Sequence, residues 1–123
     1  RGALASTVCH DSHNLIAVGT NDADMISAVR HLVSSGGGFA AVCEGKVEAL
    51  LPLPIAGLMS NRKAPRVAAD YAAICRAAKR MGSKLDDPFL SLSFLALSVI
   101  PELKLTDRGL MDTRKMCFVP LFL

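Results

Sequence analysis

The tightest constraint on the fold is the dipeptide Glu44-Gly45, which lies between Phe39-Ala40-Ala41-Val42-Cys43 and Lys46-Val47-Glu48-Ala49-Leu50-Leu51. A two-residue connection ending in Gly between two strand-like runs turns the chain back as an antiparallel hairpin. Upstream, Met25, Ile26, Val29, Leu32 and Val33 recur at helical spacing, with Arg30 and His31 on or beside the other face. Thr20 or Asn21 stands where an N-cap belongs, and Asp22 and Asp24 fall in the positive first turn. Gly36-Gly37-Gly38 ends this helix. A phosphate-cradling glycine loop opens a helix at its N-terminus; this run follows a helix and precedes a strand, so it reads as a C-cap with a flexible connection.

Beyond the hairpin, Pro52 and Pro54 exclude a central strand or a helix interior from residues 51–60, leaving an apolar segment expected to pack across a surface or interface. Pro65 then occupies a first helical position, and Val67, Tyr71, Ile74, Cys75, Ala78 and Met81 make one apolar stripe that stops at Gly82. Asp87 and Pro88 form a second helix start, although Leu90-Ser91-Leu92-Ser93-Phe94 also alternates like a strand; a short buried helix is the reading adopted. Residues 102–106 alternate as an edge strand, Asp107-Arg108-Gly109 turns, and residues 116–122 read as a last strand at an edge because of Pro120. The expected fold is α/β. One mixed sheet holds the opening strands, the hairpin and the C-terminal strands, flanked by helices near residues 21–35 and 65–81, in a single small domain over residues 1–123.

Composition narrows the function classes. The chain is 51% apolar with mean hydropathy +0.37, high for 123 residues, so part of its apolar surface is expected to meet another domain or subunit. The net charge of +3 comes mainly from Arg62, Lys63, Arg66, Arg76, Lys79, Arg80 and Lys84. With no Trp and one Tyr, these lack the aromatic interleaving of a nucleic-acid surface and read as a solvated helix face. Residues 49–59 and 89–101 are too short and too broken by Pro, Gly or Ser to span a membrane, and no secretory leader is visible. Cys9, Cys43, Cys75 and Cys117 are widely spaced in apolar contexts, as reduced core thiols of a cytoplasmic protein would be. The opening Arg1-Gly2, without Met, suggests a fragment of something longer.

The chemistry concentrates in Cys9-His10-Asp11-Ser12-His13-Asn14, between apolar runs, as a turn joining two buried strands would look; the second strand is residues 15–18, ending at Gly19. His10 and His13 could share a metal, Cys9 could pair with either imidazole as a thiolate, and Ser12, His13 and Asp11 could form a compressed triad. Each idea lacks a part. No third ligand cluster exists elsewhere in the sequence, and triads assemble from residues distant in the chain, because neighbours cannot easily aim at one another. Two readings stay open: Asp11, Ser12 and Asn14 cap their own turn, or the turn faces a ligand or a domain interface. Asp86-Asp87 suit cap and turn duty, and His31 a helix surface. From the residues alone no active site is complete.

Val8-Cys9-His10-Asp11-Ser12-His13-Asn14-Leu15-Ile16-Ala17-Val18-Gly19-Thr20-Asn21-Asp22 resembles the start of the C-terminal domain of bacterial adenine deaminases, members of the amidohydrolase superfamily. The likeness continues through Leu51-Pro52-Leu53-Pro54-Ile55-Ala56-Gly57-Leu58-Met59-Ser60, Asp86-Asp87-Pro88-Phe89, Leu92-Ser93-Phe94-Leu95-Ala96-Leu97 and Val99-Ile100-Pro101-Glu102-Leu103-Lys104-Leu105-Thr106-Asp107. It covers nearly the whole chain, departing at Cys9, where Ala is commoner. The resemblance implies hydrolytic deamination of adenine to hypoxanthine and ammonia, in cytoplasmic purine salvage, at a two-metal site suited to manganese or iron. The ligands belong to a His-x-His strand and further His, Glu and Asp residues of a large catalytic barrel, and that pattern is missing from this sequence. It therefore implies a chain that has no catalytic residue or metal ligand of its own and is inactive alone. Its partners would be the barrel, adenine and further copies in a homo-oligomer. His10, Asp11, Ser12, His13 and Asn14 would be the residues facing the active site. The alternatives are a non-catalytic docking and oligomerisation module, whose residues 51–59 cover a neighbour, and a small regulatory ligand-binding domain.

Overall fold

The unbroken apolar run Gly38–Cys43 forms β3, a strand covered on both faces. In the computed structural model, which describes residues 1–11 and 13–122, β3 pairs with β1 (Ala3–Ser6) on one side and β4 (Lys46–Pro52) on the other. Strand β1 pairs in turn with β2 (Ile16–Gly19), so the sheet order is β2-β1-β3-β4 with every neighbour antiparallel. The alternation of the strands sorts their side chains between two cores. Ala40 and Val42 join Ala3 and Ala5 against Ala28 and Leu32 of α1 (Asp22–Ser35). On the opposite face, Phe39, Ala41 and Cys43 meet Ile74, Ala77, Met81 and Phe89 from α2 (Ala64–Arg80), its C-cap and α3 (Pro88–Ser93).

Since β2 and β3 both run antiparallel to the strand between them, α1 is a crossover that returns the chain past β1, and both its ends are fastened. At the start, the Asn21 side chain accepts from the Asp24 amide at 2.8 Å and donates to the Asp24 carboxylate at 2.9 Å. That buried carboxylate also accepts from the amides of Glu44 (3.2 Å) and Gly45 (2.8 Å). Glu44 and Gly45 have φ of 53° and 74°, the left-handed pair that lets a two-residue turn follow the twist of its strands. These hydrogen bonds favour the ionised form and hold Asp24 below the usual carboxylate range.

At the other end Gly36 caps the helix at φ 77°. The glycine run is no flexible connection: Gly37 and Gly38 are buried, and a Cβ on Gly37 would stand 2.4 Å from the Gly57 Cα. Thr7 Oγ1 accepts from the Gly38 amide at 2.8 Å and donates to the Gly57 carbonyl at 2.6 Å. The Leu53 amide donates to the Gly37 carbonyl at 3.0 Å. The apolar Pro-rich segment thus packs largely on its own chain, with Leu53 buried and Ile55 and Met59 left outside.

The α/β class and the flanking helices are as the residues predict, and α3 is a helix, capped by Asp87, whose side chain accepts from the Leu90 amide. The strands are distributed differently from one mixed sheet. β5 (Leu103–Thr106), β6 (Gly109–Asp112) and β7 (Cys117–Phe118) make a separate antiparallel sheet. The reason lies at β5, whose Leu105 amide donates to the Leu95 carbonyl beyond α3, so this edge is attached to the end of a helix region rather than to a strand. The expected last strand over residues 116–122 shrinks to Cys117–Phe118 and one further bond from the Val119 amide, since Pro120 brings no donor. Residues 15–18, expected to be buried, are not: Leu15 precedes β2 and is exposed, and residues 16–18 lie on this edge strand, whose Val18 is 48% exposed. Cys9 and Cys43 are buried free thiols, but Cys117 is exposed on the peripheral sheet.

Two outcomes follow. In denaturant titrations at pH 3–6, the stabilisation from Asp24 is complete above the ordinary carboxylate pKa of about 3.9 and is lost as pH falls through its lower folded value. Asp24→Asn is therefore less stable at pH 6 and loses less on acidification. Gly37→Ala must displace Gly57 and strain a φ of 108°, and is expected to cost about 3 kcal/mol in the same assay.

Candidate functional site

The polar stretch singled out in the sequence is the loop over residues 7–15 that joins β1 to β2. Its root is held by Thr7 and by Ser6, whose buried hydroxyl accepts from the Val8 amide at 2.9 Å. The loop closes on itself through Cys9. The Cys9 amide donates to Nδ1 of His13 at 3.2 Å, and its thiol donates to the Asn14 carbonyl at 3.2 Å. Accepting at Nδ1 places the hydrogen of a neutral His13 ring on Nε2. His10 leaves this cluster and lays its ring on Phe94, with centroids 4.6 Å apart. Asp11 is exposed, and Ser12 lies outside the described residues.

Of the predicted site residues, the structure therefore brings His13 and Asn14 together and separates His10. His13 and Asn14 border a depression of about 350 Å³ whose other walls include Thr7, Gly37, Ala56 and Gly57. Thr7 and the two glycines had no catalytic signal in the sequence; a polar residue at the end of a strand facing close-packed glycines is the only hint they carry. Cys9 is not set up as a nucleophile, because its buried thiol bonds a carbonyl while the imidazole faces its backbone amide. A metal does not fit either. Among the described residues no three of His, Cys, Asp and Glu converge, so they supply no donor set for manganese or iron.

A larger apolar depression, about 670 Å³, lies between α2 and residues 53–60, over Phe39, Leu53, Val67 and Tyr71. The Tyr71 hydroxyl sits 2.8 Å from both Asp87 oxygens, linking α2 to the cap of α3. Burial and the adjacent carboxylate push the Tyr71 phenol well above its ordinary value, and burial with the same carboxylate raises the Cys75 thiol. Both groups stay protonated at neutral pH, which suits packing rather than nucleophilic work. The basic side chains on and just before α2 are largely matched by carboxylates: Arg62 and Arg66 with Asp70, Lys79 with Asp86, and Arg80 with Glu48. No helix among the described residues is long and apolar enough to cross a membrane.

Tyr71→Phe should lower stability by about 1–2 kcal/mol, the cost of leaving the half-buried Asp87 with one partner fewer. Because Tyr71 is the single tyrosine, ultraviolet titration reads it directly: its ionisation is expected only above the ordinary value of about 10, together with loss of structure.

Residues 1–117 match the model of the adenine deaminase C-terminal domain. The chain is 54% identical over 122 residues to the adenine deaminase of Desulfatibacillum aliphaticivorans, covering 99% of this chain and 21% of that protein. It is 56% identical over 120 residues to that of Moorella thermoacetica, 98% of this chain and 20% of the relative. With the adenine deaminase of Gluconobacter oxydans it shares 57% identity over 118 residues, 96% and 21% respectively. The chain thus spans about a fifth of the length of the curated relatives it matches.

Proposed function

The chain belongs to the adenine deaminase C-terminal domain family, and we propose from that premise that it is the C-terminal part of an enzyme that hydrolyses adenine to hypoxanthine and ammonia. The match over residues 1–117, with relatives named adenine deaminase at over half identity, carries the reading. In this reading the catalytic barrel, the manganese or iron and the groups that move protons at the ring belong to the larger part of the polypeptide. The 123-residue chain is then inactive alone. Its cytoplasmic, purine-salvage setting and its assembly as a homo-oligomer belong to the same proposal.

His13 and Asn14 form part of one wall of the substrate site. The Nε2–H of His13 and the Asn14 side chain offer a donor and an amide to a purine, whose ring nitrogens accept and whose amino group donates. Asp11, exposed in the same loop, offers a carboxylate that can accept a hydrogen bond from the purine. The internal bonds from Cys9 to His13 and Asn14 support the idea, since a binding wall must hold its shape before the ligand arrives.

A second reading, a non-catalytic docking and oligomerisation module, is favoured by the exposed Ile55 and Met59 on the Pro-rich segment. It requires a concentration-dependent mass and no contribution to purine binding.

In the longer polypeptide, Asp11→Ala and His13→Ala should each lower kcat/KM for adenine about 10- to 100-fold, the loss of one hydrogen-bonding group facing the substrate. Unchanged turnover with lower stability would leave the loop a structural part only. Adding manganese to the 123-residue chain should give no deamination, and turnover near that of the longer enzyme would overturn the assignment.

A further inference from the structure

The two edges of the four-stranded sheet are treated differently. Edge strand β4 is guarded: it carries Lys46, Glu48 and Pro52, the register slip between Ala41 and Val42 leaves Glu48 as an extra residue, and Arg80 of α2 pairs with that Glu48. Charges, proline and bulges are the usual means of keeping an edge from recruiting another strand. Edge strand β2, Ile16–Gly19, has none of them.

Its unused hydrogen-bonding groups can be identified. The Thr20 amide donates to the Gly2 carbonyl at 3.0 Å, and on the far side of β1 the Thr7 amide donates to Gly38 at 3.0 Å. Antiparallel alternation then turns Ile16 and Val18 toward Ser6 and Leu4, and directs the N–H and C=O of Ala17 and Gly19 away from the sheet. Among the described residues neither pair finds a partner. Beside the edge runs an apolar groove of about 450 Å³, with Leu4, Val18, Met81, Leu85, Leu92 and Leu95 in its lining. At the other end of β2 a cleft of about 330 Å³ is lined by Ile16 and Ala17 together with Leu105 and Thr106. Val18 and Leu95, both in the lining of the apolar groove, stand 48% and 47% exposed.

We infer that the open edge of β2 is a strand-addition site, taken by an extended, apolar segment of the larger part of the same polypeptide. This rests on the reading of the chain as a C-terminal domain. The occupant follows from length and placement: the relatives are about five times as long as the matched region, and Arg1 and Gly2 line the groove. The greater part of such a polypeptide is tethered beside this edge, at high effective concentration. The chemistry also selects it. The groove's lining is mainly apolar, so it favours alternate apolar side chains over charged ones, with affinity supplied by the backbone bonds of Ala17 and Gly19.

The test is amide hydrogen exchange in the longer polypeptide, with Ile16 and Val18 as internal references. Ala17 and Gly19 are expected to be protected nearly as well as Val18, at least about 100-fold beyond an open chain. Free exchange at Ala17 and Gly19 beside protected Ile16 and Val18 overturns the inference, even where adenine turnover upholds the functional reading. Protection that vanishes on dilution together with a halving of the mass assigns the edge to a second copy and also overturns it. Ala17→Pro removes an outward amide without touching the bonds to β1, and should release Gly19 while Val18 stays protected; continued protection of Gly19 counts against the idea. Should that variant lose the references as well, Val18→Asp, which places a charge at the groove, must give the same release.

Discussion

The Asp24 carboxylate joins three pieces of local structure that would otherwise be only weakly specified. It completes the Asn21 cap of α1, it lies at the positive end of that helix, and it takes both turn amides of the β3–β4 hairpin. A hairpin alone is marginal in water, and an isolated 14-residue helix is equally so. Sharing one buried acceptor couples their formation. At the opposite end of α1 the coupling is steric: Gly37 against Gly57, with Thr7 bonded to Gly38 and Gly57, lets backbones approach where any side chain would intervene. Between these two anchors the crossover helix has one place to lie.

The sheet it covers is built largely from small residues. Ala3, Ala5, Ala40 and Ala41 are fully or almost fully buried, so helices sit close on both faces and the bulk of the core is supplied by Leu32, Ile74 and Phe89. This arrangement uses the apolar content of the chain on two thin cores and leaves substantial apolar surface outside, notably along β2, α3 and the small C-terminal sheet. A domain that is one-fifth of its relatives has no need to be self-sufficient at every face. The loop over residues 7–15 fits the same picture: it is internally braced, and its His13 and Asn14 line a depression.

Much of this was legible in the residues. The hairpin at Glu44-Gly45, the caps at Asn21 and Asp87, and the stripe of α2 depend on interactions within a few positions, and such local preferences survive any tertiary context. The misreadings share the opposite character. Gly36-Gly37-Gly38 looked like slack because nothing local says that Gly57 and Thr7 will close on it. Residues 15–18 looked buried because an apolar edge strand and an apolar central strand have the same composition. The C-terminal strands read as part of the main sheet because strand partners many residues apart leave no mark in either segment. The site was legible as a place but not as an arrangement: Cys9, His10 and His13 adjoin in sequence, yet one ring faces Phe94 and the other a backbone amide.

The sequence by itself determined the helices, their ends, the central hairpin and the family, since turn chemistry, periodicity and long motifs are properties of contiguous residues. Tertiary structure alone decided that Asp24 would serve the hairpin as well as its own helix, that three glycines would be a packed joint, and that β2 would stand open beside an apolar groove. Each of those depends on which distant surfaces meet, and that is settled by the burial of whole faces rather than by the preference of any one segment.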